Sequence, residues 1–117
     1  MSKKLITIKP QFENPYQELF EDYIKTFKIK NLAEETIRTY YYHHRYFIKF
    51  IGNEKVMCSE ITQDTVDDYR LNMIDRKLST VSINSYLNNV SPVIKFGIER
   101  GYIAAPIEFK QIKGKVV

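Results

Sequence analysis

The sequence predicts an all-α domain, a compact four-helix bundle, on three observations. Apolar residues recur at three-four spacing along four segments, turn and capping residues separate those segments, and only Leu5–Ile8 has the make-up of a short extended piece. With 117 residues and 44% hydrophobic content, the chain supports one domain with its own core and is too short for two ordinary ones. Roughly twenty large apolar side chains, at ~1.5–3 kcal/mol each when buried, offset a good part of the chain entropy of such a bundle.

Residues 1–13 mix basic and β-branched types without helical period, and Lys9-Pro10 interrupts them, so they are expected to form a basic arm or extended segment. Asn14-Pro15 then predicts a helix start, with Asn14 as N-cap and proline at the first helical position. Tyr16, Leu19, Phe20, Tyr23, Ile24 and Phe27 follow on one face, opposite Gln17, Glu18, Glu21, Asp22 and Lys25. The second helix is expected from Ala33 to Ile51, stopping at Gly52-Asn53. Its inward stripe is Ile37, Tyr40, His44, Phe47, Ile48 and Ile51, which leaves Arg38, Thr39, Tyr42, His43, Arg45, Tyr46 and Lys49 on flanking or outward positions.

The third helix opens at Thr62 as N-cap, buries Val66, Tyr69, Met73 and Ile74, and ends near Arg76-Lys77. The fourth starts at Ser79, packs through Ile83, Tyr86, Leu87, Val90, Ile94 and Ile98, and stops at Gly101. Pro92 in its middle predicts a bend or break near Asn89 to Ser91, which would make five helices of four. The helical domain therefore spans residues 14–104, and residues 105–117 form a basic tail or linker carrying Lys110, Lys113 and Lys115.

Lys and Arg outnumber Asp and Glu 18 to 14, a net charge of +4 that permits a polyanion partner and equally serves solubility. The single Cys58 excludes an internal disulfide and a cysteine-based zinc cluster, as in a reducing compartment. The N-terminal run Met1–Ile8 lacks a signal-peptide core and apolar runs are short, so no membrane segment and a cytoplasmic location are expected. Candidate catalytic chemistry is thin. The two histidines, His43 and His44, point about 100 degrees apart on a helix and do not share a metal ion, Asp67-Asp68 has no His or Cys nearby, and the four glycines form no phosphate loop. No catalytic residue, metal site or cofactor is expected.

The chain echoes itself. Leu32-Ala33-Glu34-Glu35-Thr36-Ile37-Arg38-Thr39-Tyr40 is followed, 46 residues on, by Leu78-Ser79-Thr80-Val81-Ser82-Ile83-Asn84-Ser85-Tyr86-Leu87. This pairing resembles the N-terminal core-binding domain of tyrosine recombinases (phage and transposon integrases), where the segments read roughly L-S-x-x-T-I-x-x-Y and L-S-x-x-T-I-N-x-x-L. The resemblance extends through Glu60-Ile61-Thr62 and Phe96–Ile103 and covers roughly residues 15–106. Two departures are Ala33 in place of the usual serine and, in the fourth helix, the missing arginine that often follows the asparagine.

The resemblance implies a SAM-like orthogonal bundle that clamps double-stranded DNA for integration or excision of a mobile element. Cleavage in that family belongs to a separate C-terminal catalytic domain with Arg, Lys, His-x-x-Arg and a nucleophilic Tyr. The chain is thus expected to be non-catalytic itself, with Ile103-Ala104-Ala105-Pro106 as the linker toward that partner domain and recombinase protomers assembling as tetramers on DNA. It further implies that the second and fourth helices cross the major groove. The expected DNA-contacting residues are Arg38, Thr39, Tyr42, His43, Arg45 and Lys49, with Ser82, Ser85, Asn88 and Asn89 as the second surface. The competing readings are a helical protein-interaction module, favoured by Tyr41, Tyr42 and Tyr46 as exposed tyrosines, and a small helix-turn-helix regulator, disfavoured because no short glycine turn joins two helices.

Overall fold

In the computed structural model, four helices run Tyr16–Ile29 (α1), Glu34–Ile51 (α2), Gln63–Asp75 (α3) and Thr80–Glu99 (α4), with a 3-10 turn at Cys58–Glu60 between α2 and α3. The structure describes residues 12–109, so the expectations for the arm and tail at 1–11 and 110–117 lie outside the described residues. Helix α4 packs against each of the other three, and α2 also meets α1 and α3. The result is an all-α four-helix bundle, as the periodicity predicts.

Helix α1 begins one residue later than expected. Pro15 sits at the N-cap in extended conformation (φ −61°, ψ 141°) and its carbonyl accepts from the N–H groups of Glu18 and Leu19. Asn14 does not cap, because the chain before α1 is paired with the loop after α2. Tyr16 N–H donates to the Val56 carbonyl and Cys58 N–H to the Asn14 carbonyl, each at 2.8 Å, around an antiparallel Pro15–Met57 bridge.

Three helices end in the same way. After α1, α3 and α4 the chain turns through Asn31 (φ 57°), Lys77 (φ 60°) and Gly101 (φ 81°), and the next residue's N–H reaches back to a helical carbonyl: Leu32 to Phe27, Leu78 to Met73, Tyr102 to Gly97. This left-handed closure satisfies carbonyls that a helix end leaves without partners. Short turns over residues 30–33 and 76–79 thus do join helices, without glycine. The sequence pattern hides them because Asn and Lys occupy a backbone conformation that glycine usually signals.

The helix starts follow at once. Ser79 caps α4 by accepting from Ser82 N–H at 3.1 Å, and Thr62 caps α3 by accepting from Thr65 N–H at 3.4 Å, but Ala33 provides α2 with no side-chain cap. Pro92 does not break α4, which is continuous over Thr80–Glu99. Proline removes one intrahelical hydrogen bond, and burial of Leu87, Val90, Val93 and Ile94 on both sides of it holds the helix together.

The core is assembled as the apolar stripes require, with two adjustments. Ile74 faces out (44% exposed) while Met73 is fully buried, and Val93 and Gly97 join the buried face of α4. A Cβ on Gly97 would lie 2.6 Å from Ile103 Cδ1 and 2.7 Å from Leu19 Cδ2, so the missing side chain is what lets α1 and the returning chain close onto α4. Beyond Ile103 the chain stays on the bundle. Gln63 at the start of α3 accepts from Glu108 N–H (2.7 Å) and donates to the Glu108 carbonyl (3.0 Å), and Ile107 and Phe109 lean on the core.

Candidate nucleic-acid interface

Helix α2 carries its cations on one line. At about 100 degrees per residue, Arg38, Tyr42, Arg45 and Lys49 fall within a stripe roughly 60 degrees wide. All four are exposed. Among the described residues none of the three cations has a carboxylate within 4.0 Å, the separation that defines an ion pair. The stripe therefore presents unneutralised positive charge to solvent. Its axial length from Arg38 to Lys49 is about 16 Å at 1.5 Å per residue, about a third more than the ≈12 Å width of the DNA major groove.

The second surface joins the first through a tyrosine pair. Tyr42 of α2 and Tyr86 of α4 bring their hydroxyls to 3.3 Å. That hydrogen bond, then burial and the neighbouring charge of Tyr42, raise the Tyr86 phenol above its ordinary value, with Arg76 acting in the opposite sense. The stripe pattern puts Tyr86 in the core, but it is half-buried, its ring packed edge-on against His43 and Tyr46 at 4.7 Å. Its signal in the sequence is its alignment with Tyr40 in the internal echo, but which edge of the helix it occupies depends on how α2 crosses α4.

Ser82 and Asn89 lie within about 60 degrees of Tyr86 around α4 and so border the stripe, while Ser85 is further out and Asn88 lies on the outward face well away from Tyr86. Several of these polar groups are already engaged. Thr39 Oγ1 donates to the Glu35 carbonyl (2.9 Å), Asn89 donates to the Ser85 carbonyl (2.8 Å), and Ser82 Oγ accepts from Ser79 (3.0 Å).

His43 departs from expectation. It is buried (5% exposed) rather than outward, wedged edge-on between Tyr42 and Tyr86, and burial lowers its pKa. The physical reason is that α2 is covered on two sides, by α1 and by α4 with α3, so its buried arc is wider than a single stripe. His44 is buried as well, as its stripe position requires. It stacks on Phe20 at 3.7 Å, donates through Nε2 to Gln17 Oε1 at 2.6 Å, and is pushed down to about 4 by burial and by Arg45.

Of the tyrosines expected to be exposed, only Tyr42 is. Tyr41 is half-buried and donates to Glu21 Oε1 at 3.0 Å, and Tyr46 lies beneath Arg76, so the case for a tyrosine-rich docking face loses two of its three members. Cys58 is buried in the core, where desolvation pushes its thiol up to about 12. Among the described residues no group of three or more His, Cys, Asp or Glu is placed to hold a metal ion, and no helix is long and apolar enough to cross a membrane.

The all-α four-helix bundle is what the resemblance in the sequence implies. The model of the phage integrase SAM-like domain matches residues 16–112. The chain belongs to that family. In tyrosine recombinases the SAM-like core-binding domain binds DNA. The match runs from the first residue of α1 and extends past the segment that Gln63 holds after α4. Comparison with curated proteins and with solved structures returned no match.

Proposed function

We propose that this SAM-like domain is the DNA-clamping half of a site-specific tyrosine recombinase acting in integration or excision of a mobile element. In this reading it carries no catalytic residue of its own and works in the cytoplasm with a C-terminal catalytic domain and other protomers on paired DNA sites. The observation that carries the reading is the α2 stripe. Arg38 and Lys49, about 16 Å apart along the axis, overspan the ≈12 Å major groove, so that each reaches toward one phosphate wall, with Tyr42 and Arg45 between them. Tyr86, Ser82 and Asn89 supply the neighbouring polar edge on α4. His43, being buried, does not belong to the DNA-facing set.

The test is fluorescence anisotropy of the chain on labelled duplex DNA at low and moderate salt, beside an Arg38→Ala, Arg45→Ala, Lys49→Ala triple variant. Binding that weakens with salt is expected, with the slope of log K against log salt reduced by about 0.9 for each phosphate that the variant no longer neutralises. Wild-type binding absent at low salt, or a triple variant that binds unchanged, would remove the stripe from the interface.

A further inference from the structure

A cavity of about 350 Å³ opens between α2 and α3, lined by Tyr46, Lys49, Phe50, Asn72 and Arg76. Two of its lining residues are aromatic, its polar groups are two cations, an amide and the Tyr46 hydroxyl, and no acidic side chain lines it. Arg76 is the C-cap residue of α3, and its guanidinium lies over the Tyr46 ring at 5.1 Å from the centroid. Tyr46 in turn packs against Tyr86 at 4.7 Å, so Arg76 stands beside the tyrosine bridge between α2 and α4. Neither Lys49 nor Arg76 has a carboxylate within 4.0 Å among the described residues.

Two unneutralised cations on one concave, acid-free wall select an anion. The planar fork of arginine, preordered against an aromatic face, suits a phosphate, whose oxygens it can engage in pairs. Lys49 belongs to both the cavity and the α2 stripe, so an extended polyanion lying along Arg38, Arg45 and Lys49 continues directly into the cavity. The occupant that this continuity favours is a phosphodiester of a backbone already on the stripe, rather than a free small anion.

We propose that the α2–α3 cavity seats one DNA backbone phosphate between Arg76 and Lys49, with Asn72 donating from α3, and that Arg76 is a DNA-positioning residue outside the two helices that form the main face. The proposal rests on the DNA-binding reading above. It adds a phosphate anchor at the end of α3, which fixes the angle at which the duplex crosses α2.

The experiment compares wild type, Arg76→Ala, Arg76→Lys and Asn72→Ala on labelled duplex DNA across a salt series, with Lys25→Ala, an exposed cation on α1, as the charge control. Arg76→Ala should weaken binding about five- to twentyfold and lower the salt slope by about 0.9, as expected when one charge-assisted hydrogen bond to phosphate is removed. Asn72→Ala should weaken binding by a smaller factor and leave the slope unchanged, since it removes a neutral donor. Arg76→Lys should keep the slope and part of the affinity, and Lys25→Ala should change neither. If circular dichroism shows Arg76→Ala unfolded, Arg76→Gln takes its place, with the same change of slope expected. Arg76 variants that bind like wild type while the Arg38, Arg45, Lys49 triple variant fails would overturn the cavity and leave the stripe standing. An equal weakening in Lys25→Ala would overturn it too, as a net-charge effect, and wild type that does not bind DNA overturns both readings.

Discussion

His43 and His44 show how much one residue's position decides. They are neighbours in sequence and both are buried, but His44 sits in a slot between Phe20 and Tyr16 with its Nε2 proton on Gln17, while His43 is wedged against Tyr86. With the proton on Nε2, the Nδ1 atom of His44 is buried without a hydrogen-bond partner, and protonating it would place charge among aromatic rings. The folded pKa of about 4 lies below the ordinary 6.5, so the neutral form is the one that folding favours. Stability from this group is complete above about pH 7 and falls as pH drops from about 6.5 toward 4, by at most about 3 kcal/mol. Urea unfolding followed by circular dichroism at several pH values should show this decline, and His44→Leu should lessen it, leaving the part due to His43, whose pKa burial also lowers. A variant with the same acid sensitivity as wild type would assign the decline to other groups.

At the scale of elements, the internal echo has a structural cause. Leu32 and Leu78 each close the left-handed end of the preceding helix, and Ala33 and Ser79 each stand at the N-cap of the next. A helix end and a helix start are thus fused into four residues, twice. The two copies differ in the cap, since Ser79 accepts from Ser82 N–H while Ala33 offers no side-chain acceptor to Thr36. Ala33→Ser should therefore stabilise the domain by about 0.5–2 kcal/mol, read as a higher urea midpoint with unchanged slope. No gain would mean that the Ala33 backbone does not present a serine hydroxyl to Thr36 N–H. Pro92 is the opposite lesson. Its local cost predicts a break, and packing on both sides of it prevents one.

At the scale of the whole molecule, α4 is the element around which the others are arranged, and at Gly97 α1 and the returning chain come close enough to leave no room for a Cβ. The segment that follows is held by Gln63, which pairs with both backbone groups of Glu108. The first residues of the stretch expected as a tail or linker, 105–109, lie along the bundle. Gln63→Ala should raise hydrogen exchange at residues 107–109 while costing the bundle only about 1 kcal/mol, and unchanged exchange there would show that Ile107 and Phe109 hold the segment without the clasp.

The helices and most of their caps and core faces were legible in the sequence, because three-four periodicity and capping chemistry are local and repeat within each element, and the resemblance of the echoed Leu32–Tyr40 and Leu78–Leu87 segments pointed to the SAM-like family. The candidate stripe was legible too, since Arg38, Arg45 and Lys49 share a helix face whatever surrounds them. What the tertiary structure decided is everything that depends on a second element: the burial of His43, the Tyr42–Tyr86 bridge, the exposure of Ile74, the unbroken α4 and the place of Arg76 beside Tyr46. Those follow from where one helix crosses another, and a sequence pattern with a period of one helix turn carries no information about crossings.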